Sequence, residues 1–147
     1  MAKRTRLVEA AVAAVLLLGC AGAVMAQDAA SAVAARKGAM KAIGGASAAL
    51  RGTDVAAMKA AGKTINDNLK TFGSSLAAGT GPESGQQTRA KAEIWSDATG
   101  FKTALDAALA ASATLAAAST DDAAKAAAAA MGGTCAGCHG KYRGPAA

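Results

Sequence analysis

Four long segments of this 147-residue chain repeat their apolar residues every three or four positions. That spacing places the apolar side chains on one face of an α-helix, whereas a half-buried strand alternates apolar and polar residues. The pattern predicts helices over residues 29–51, 55–72, 93–119 and from 121 through the C-terminal motif. Heptad-like stripes on four helices of this length predict an all-α fold, an antiparallel four-helix bundle.

The side chains predicted to face the core share this helical spacing. They are Val33, Arg36, Met40, Ile43, Ser47 and Leu50 in the first helix; Val55, Met58, Gly62, Ile65, Leu69 and Phe72 in the second; Ile94, Ala98, Phe101, Leu105, Ala108, Ser112 and Leu115 in the third; Ala124, Ala128, Met131, Cys135, Cys138 and Tyr142 in the fourth. Thr53 or Asp54 is a candidate N-cap of the second helix. The Gly/Ser-rich stretch over 73–92 predicts a long loop.

The apolar residues of the chain are small. Hydrophobic residues make up 52% of the sequence, but aromatic residues only 3%. Because aromatic rings normally supply much of a core's volume, such a core either packs its helices very closely or encloses something large and flat.

The chemistry is concentrated in the C-terminal sequence Cys135-Ala136-Gly137-Cys138-His139. C-x-x-C-H is the attachment signature of c-type haem. Two thiols three positions apart on a helix share a face and can each form a thioether with a haem vinyl group. His139 then ligates the iron. It is the only histidine of the chain, so bis-histidine ligation within one subunit is excluded.

Three other uses of this motif stay open. A thioredoxin-like dithiol is expected at the start of a helix after a strand, and no segment here resembles a strand. A zinc site requires a fourth ligand, and Cys20, the remaining cysteine, lies in the N-terminal segment. A disulfide between Cys135 and Cys138 is possible but strained.

The N-terminal segment is typical of an export signal. Basic residues precede an apolar stretch too short for a confident membrane span, and small residues precede Gln27. We therefore predict a signal peptide over 1–26, a mature domain over 27–147 and a periplasmic protein. A lipoprotein acylated at Cys20 is the alternative.

The charge distribution limits the partners. The formal net charge of the whole chain is +6 at pH 7; without Lys3, Arg4, Arg6 and Glu9 of the N-terminal segment, 13 basic and 9 acidic residues leave +4, spread along the chain without a basic cluster. With so few aromatic residues, nucleic-acid binding has little support, whereas an acidic redox partner is compatible. An enzyme such as a peroxidase is not expected, because the single histidine is committed to iron and none is left for acid–base work.

Taken together, these features resemble the cytochrome c′ family. The resemblance rests on Cys135–Arg143 as the haem helix, with the pattern C-x-x-C-H-x-x-Y-R, on Arg36–Met40 in the first helix, and on Glu93–Asp97 followed by Phe101. It spans almost the whole mature chain. It implies a four-helix bundle with one haem c held covalently by Cys135 and Cys138, and His139 as the proximal iron ligand.

The resemblance also implies roles for three further cofactor-binding residues. Arg36 pairs with a haem propionate, although a lone arginine on an apolar stripe can also snorkel to the surface. Arg143 borders the proximal pocket, or is merely a frayed terminal residue. Met40 crowds the distal face of a five-coordinate haem; the alternative is a six-coordinate, low-spin haem with Met40 as the sixth ligand.

The functions that follow are one-electron transfer with redox partner proteins or, alternatively, binding of nitric oxide or carbon monoxide. The resemblance implies a homodimer paired through the first two helices. Tyr142 is interpreted as a packing residue, and Gly132-Gly133 either allows close approach to the porphyrin or breaks the last helix.

Overall fold

The computed structural model describes residues 28–145. Helix α1 covers residues 28–46 and is followed by a 3₁₀ turn, Ala49–Arg51. The remaining helices are α2 (Val55–Ser74), α3 (Glu93–Ser96), α4 (Ala98–Ala117) and α5 (Asp121–Tyr142), with a 3₁₀ turn at Pro82–Ser84. The signal peptide predicted over 1–26 lies outside the described residues. No helix among residues 28–145 is both long and apolar enough to cross a membrane.

Side-chain caps explain where three helices begin. The carboxylate of Asp54 accepts a hydrogen bond from the Ala57 N–H, and the hydroxyl of Thr120 accepts one from the Ala123 N–H. Asp97 caps α4 in the same way, through the Gly100 N–H. Each cap satisfies a backbone donor that has no partner inside the helix. Of the two N-caps predicted for the second helix, Asp54 is the one used.

The core consists of three clusters arranged along the bundle. The alanine cluster is formed by Met58, Leu115, Ala118, Ala124, Ala127 and Ala128. The central cluster is formed by Ile43, Ile65, Leu69, Ala108 and Met131, one or two residues from each of α1, α2, α4 and α5. The aromatic cluster is formed by Ile94, Phe101 and Tyr142, with Phe72 and Trp95 packed against it.

The order of these clusters along each helix gives the topology. Along α2 and α5 the chain passes from the alanine cluster to the aromatic cluster, and along α4 it passes in the opposite direction. Helix α1 reaches the central cluster at Ile43, and Leu50 beyond it packs against the alanine cluster. Neighbouring helices are therefore antiparallel, which confirms the predicted four-helix bundle.

The predicted stripes are confirmed with one exception, and some predicted boundaries are wrong. Ala98 is exposed, because the third predicted helix is interrupted at Asp97, whose side chain starts a new helix instead of continuing α3. That helix ends at Ala117 and α1 ends at residue 46, both short of the predicted ends. Helix α5 runs through Gly132-Gly133, so the predicted break there is wrong.

Candidate haem site

A cavity of about 930 Å³ opens between α1, α5 and the 82–90 loop. Its size lies at the upper end of the range for pockets that hold small molecules and cofactors. The residues around it are Arg36, Lys37, Met40, Ile43, Gly44, Ser47, Phe72, Pro82, Gly85, Gln86, Gln87, Thr88, Arg89, Ala90, Ile94, Phe101, Cys135, Cys138, His139, Tyr142 and Arg143. All six predicted cofactor-binding residues are among them.

One wall of the cavity is the last part of α5. Cys135 and Cys138 are half-buried, and they are free thiols not joined by a disulfide. Burial raises the pKa of both thiols. His139 follows on the same wall. The helix thus presents two thiols and an imidazole to one cavity, the set that C-x-x-C-H chemistry requires.

The zinc alternative finds no support in this geometry. Among residues 28–145, no three His, Cys, Asp or Glu side chains are placed to hold a metal ion together. The dithiol alternative is equally poor, since the two cysteines lie near the end of α5 and not at a helix start after a strand.

The electrostatic surroundings of His139 are positive. Burial lowers the pKa of its imidazole, and the charges of Arg143 and Arg89 lower it further. A neutral imidazole has a free nitrogen lone pair, which is the form that ligates a metal. Arg143 therefore does border the proximal side of the cavity, as predicted. Its backbone N–H donates to the His139 carbonyl oxygen (3.3 Å), so this residue ends the helix in an ordered way and is not frayed.

Helix α1 contributes both polar and apolar residues to the cavity, with Met40 and Ile43 as its apolar part. Met40 is half-buried and packs against the central cluster together with Cys135. Ile43 and Phe72 also line the cavity. Met40 thus lines the same cavity as the thiols and the imidazole, and its position relative to a haem stays a prediction.

Arg36 is the most unusual residue of the cavity. It is only 3% exposed, so the alternative of a snorkelling surface arginine is wrong. Its Nη1 donates to the Ser75 carbonyl oxygen (2.7 Å) and to Thr80 Oγ1 (2.9 Å), and its Nη2 donates to the Thr80 carbonyl oxygen. Burial lowers the pKa of Arg36, and the Glu83 carboxylate partly offsets this effect.

An aromatic ring completes the surroundings of Arg36. The guanidinium carbon lies 5.7 Å from the centroid of the Trp95 ring, within the range of a cation–π contact. The Trp95 indole N–H in turn donates to the carbonyl oxygens of Leu76 and Ala77, both at 3.3 Å. The turn over 75–80 is therefore folded around the charge of Arg36.

One donor of Arg36 is left over. Its buried Nε has no hydrogen-bond partner among the described residues. A buried donor without a partner costs free energy, so it indicates a site for an acceptor in the cavity. A propionate oxygen is such an acceptor. The thiols, the imidazole, the cavity of about 930 Å³ and this donor together fit a covalently attached haem.

Tyr142 has the packing role predicted for it, with an added polar contact. It is buried, and its ring meets Phe101 edge-on, with centroids 5.1 Å apart. Its hydroxyl donates to Asp97 Oδ2 (2.9 Å), and the Lys141 ammonium donates to the same carboxylate oxygen. These bonds hold the Asp97 carboxylate ionised and keep its pKa below the usual range.

The site contains residues that the sequence patterns did not indicate. Thr80, Ser75 and Trp95 hold Arg36, and residues 89–91 pair with residues 142–145 at the rim. These contacts join residues 39 or more positions apart in different elements, so helical periodicity carries no signal for them. Gly132 and Gly133 do not line the cavity, and an added Cβ at either meets nothing within 4 Å, so their predicted close approach to the porphyrin has no support.

The chain was compared with known families and proteins. The family model described as Cytochrome C′ matches residues 31–143. Cytochrome c′ of Rubrivivax gelatinosus is 49% identical over 68 residues, a stretch covering 44% of this chain and 53% of that relative. The crystal structure of cytochrome c′ from Rubrivivax gelatinosus superposes with a TM-score of 0.70 at 29% identity, covering 78% of this chain and 96% of that one.

A second solved relative was obtained with gases bound. Cytochrome c prime from Alcaligenes xylosoxidans, a mutant in complex with nitric oxide, has a TM-score of 0.68 at 25% identity, covering 79% of this chain and 95% of that one. Another variant of the same protein was solved with carbon monoxide bound.

Proposed function

Because this chain belongs to the cytochrome c′ family and carries one haem c on Cys135 and Cys138, we propose that it is an exported, non-enzymatic carrier of single electrons. The haem supplies iron that changes between the ferric and ferrous states by one electron. His139 ligates this iron on the proximal side, and the distal side is left without a protein ligand.

The observation that supports this proposal most directly is that two thiols, an imidazole and a hydrogen-bond donor without a partner all lie at one cavity. Cys135, Cys138 and His139 stand on one wall, and the unpartnered Nε of Arg36 lies among the residues of the same cavity. The thiols fasten the cofactor, the imidazole holds the iron, and the guanidinium neutralises a propionate. A fixed positive charge beside the haem also favours the ferrous state over the more positive ferric state.

The packing of Met40 supports five-coordinate iron. Its side chain lies against the central cluster, where the thioether contributes to the hydrophobic core. Leaving that cluster to ligate iron costs the buried contacts that it makes there. With Met40 held in the core, its sulfur would not be available to ligate the iron.

Binding of nitric oxide or carbon monoxide is the second candidate, and the apolar side chains of the cavity favour it. The side chains of Met40, Ile43 and Phe72 carry no charge and no hydrogen-bond donor. Small diatomic ligands suit such a space better than anions or water do. The nitric oxide and carbon monoxide complexes of the Alcaligenes xylosoxidans protein support the same proposal here.

The ferric spin state tests the coordination. We expect a high-spin EPR spectrum for the wild-type holoprotein, and high-spin spectra for Met40→Leu and Met40→Ala. Leucine keeps the volume of Met40 without its sulfur, so the pair separates ligation from packing. A low-spin wild-type signal that both substitutions convert to high spin would establish Met40 as the sixth ligand and refute five-coordination.

Carbon monoxide uptake by the ferrous protein tests the second candidate. We expect the Soret band to shift on addition of carbon monoxide, with Met40→Ala binding faster because it removes a side chain from the distal wall. A ferrous protein whose spectrum is unchanged under saturating carbon monoxide would eliminate gas binding. The pyridine haemochrome spectrum of the denatured protein checks the thioether bonds in either case.

Export and self-association complete the proposal. Mass spectrometry of the mature N-terminus distinguishes cleavage before Gln27 from acylation at Cys20. A homodimer through α1 and α2 is supported by small exposed residues of α1 outside the cavity, where a Cβ added at Gly38 or Gly45 meets nothing within 4 Å. Close approach of helices requires such residues. Gly38→Arg and Gly45→Arg are expected to give monomers in sedimentation, and unchanged dimers would refute this interface.

A further inference from the structure

The chain beyond α5 is held by a segment distant in sequence, and we call the pair, residues 89–91 and 142–145, the C-terminal clasp. Ala90 and Arg143 form an antiparallel bridge. The Gly144 N–H donates to the Arg89 carbonyl oxygen (2.7 Å), and the Lys91 N–H donates to the Tyr142 carbonyl oxygen (3.1 Å). These backbone bonds align the two segments immediately after the helix that carries the haem motif.

The side chain of Arg89 supplies the strongest part of the clasp. Its Nε donates to the carbonyl oxygens of Gly144 and Pro145, both at 3.0 Å, and its Nη2 donates to the Gly144 carbonyl oxygen (2.8 Å). Lys91 Nζ donates to the Lys141 carbonyl oxygen (2.9 Å). The last carbonyls of a helix have no partner inside it and carry its negative end, so the Lys91 ammonium is well placed at the Lys141 carbonyl, whereas Arg89 binds the chain just beyond the helix.

We propose that Arg89 is a positioning residue for His139, acting through the backbone of the C-terminal clasp. This inference rests on the proposed function, in which His139 is the proximal iron ligand. His139 lies in the last turn of α5, and its carbonyl oxygen accepts the hydrogen bond of the Arg143 N–H that closes the helix. Terminal turns of helices open readily unless something outside the helix holds them.

The consequence for the ligand is geometric. A metal ligand must be held in a defined orientation by groups beyond those that touch the metal. The imidazole of His139 inherits its orientation from the backbone of the last turn, and the clasp fixes that backbone on its C-terminal side. Arg89, His139 and Arg143 all border the cavity, so the clasp also closes its proximal rim.

Two measurements on the holoprotein test the inference. The first is amide hydrogen exchange over residues 140–144, and the second is the iron–histidine stretching band of the ferrous protein in resonance Raman spectra. For Arg89→Ala we expect exchange about tenfold faster, equivalent to roughly 1.4 kcal/mol of local stability, and a shifted or broadened iron–histidine band. Arg51→Ala is the matched control, because Arg51 is an exposed arginine that does not border the cavity.

Arg89→Lys separates charge from hydrogen bonding. Lysine keeps the positive charge but cannot reproduce a forked contact with two carbonyl oxygens. We expect its exchange rate and band to lie between those of the wild type and Arg89→Ala. If Arg89→Lys matches the wild type while Arg89→Ala does not, the charge alone is responsible and the proposed clasp is refuted.

A double-mutant cycle identifies the path of the effect. Gly144→Pro removes the N–H that binds the Arg89 carbonyl oxygen, and Gly144→Ala is its control, since an added Cβ there has only ordinary contacts at 3.5 and 3.9 Å. The effects of Arg89→Ala and Gly144→Pro are expected to be less than additive, as for two parts of one unit. Additive effects, or an Arg89→Ala protein indistinguishable from Arg51→Ala, would overturn the inference. A wild-type ferrous protein without any iron–histidine band would instead refute the proposed function, and amide exchange would still test the clasp.

Discussion

At one end of the bundle the core is built from alanines of α5 packed on Met58 and Leu115, whereas at the other end it is built from aromatic rings around a large cavity. The first end reaches its density by letting helices approach closely. An added Cβ at Gly62 would lie 2.9 Å from the Ala116 backbone nitrogen and 3.0 Å from the Ser112 carbonyl oxygen.

The second end uses the few large side chains of the chain. Phe72, Phe101 and Tyr142 form a chain of ring contacts, and Trp95 stacks on Arg36. Rigid rings with polar anchors keep a space open that small residues would let collapse. The low aromatic content thus belongs to the whole chain but not to its cofactor site, where the rings are concentrated.

Among the substitutions that test this difference between the two ends of the core, Leu115→Ala is expected to have the largest effect on stability. Leu115 is fully buried in the alanine cluster, so truncation leaves a cavity and lowers the free energy of unfolding by about 2–5 kcal/mol. Denaturant titration measures this loss. The haem absorption spectrum is expected to stay unchanged, because Leu115 does not border the cavity. A shifted Soret band would show that the two ends are not independent.

Overpacking the same end is expected to have the next largest effect. Gly62→Val places new carbon atoms against the α4 backbone, which costs about 1–3 kcal/mol more than the same substitution at Gly132. Gly132 is the control because an added Cβ there meets nothing within 4 Å. Equal melting temperatures for Gly62→Val and Gly132→Val would contradict the close packing of α2 against α4.

At the aromatic end, Phe101→Leu is expected to combine a smaller loss of stability with a spectral change. It removes the ring contacts with Phe72 and Tyr142, worth about 1–2 kcal/mol. Phe101 also borders the cavity, so the Soret band and the reduction potential are expected to move. Leu115→Ala is the comparison for this measurement. A spectrum identical to that of the wild type would show that the ring contacts stabilise the fold without influencing the haem.

The smallest expected effect concerns pH. Hydrogen bonds from Lys141 and Tyr142 hold the pKa of Asp97 below its usual value. A lowered pKa in the folded state adds stability above the unfolded pKa of about 3.9, and this stability disappears as pH falls through the folded pKa.

The variant Asp97→Asn is therefore expected to lose less stability than the wild type between neutral and strongly acidic pH, measured by denaturant titration at each pH. Asp106→Asn is the control, since Asp106 pairs only with Lys102 of its own helix. The pH dependence of Leu115→Ala should match the wild type. If Asp97→Asn keeps the pH dependence of the wild type, protonation of Asp97 does not contribute to the loss of stability at acidic pH.

The periodicity of the sequence predicted the bundle because the buried face of each helix is encoded in the spacing of that helix's own apolar residues. The stripe from Ala124 to Tyr142 was predictable from spacing alone, and the motif within it indicated the cofactor. Helix ends were harder to place. The interruption at Asp97 depends on its side chain, which accepts a hydrogen bond from the Gly100 N–H and caps a new helix. The sequence pattern is equally compatible with Asp97 inside one longer helix.

The polar contacts of the site were not predictable from periodicity. Arg36 was singled out as a lone charge on an apolar stripe, but its partners lie in the 75–80 turn, which has no repeating pattern. The forked contact of Arg89 with Gly144 and Pro145 joins residues 55 and 56 positions apart. Such pairs arise only when the bundle brings distant segments together.

The two walls of the cavity come from opposite ends of the chain, with α5 carrying the thiols and α1 carrying Arg36 and Met40. The haem is thus bonded to the last helix but covered by the first. If α1 detaches in a local unfolding event, the distal face is uncovered while the cofactor stays on the chain. Covalent attachment to α5 would therefore retain the cofactor independently of the contacts that α1 makes around the cavity.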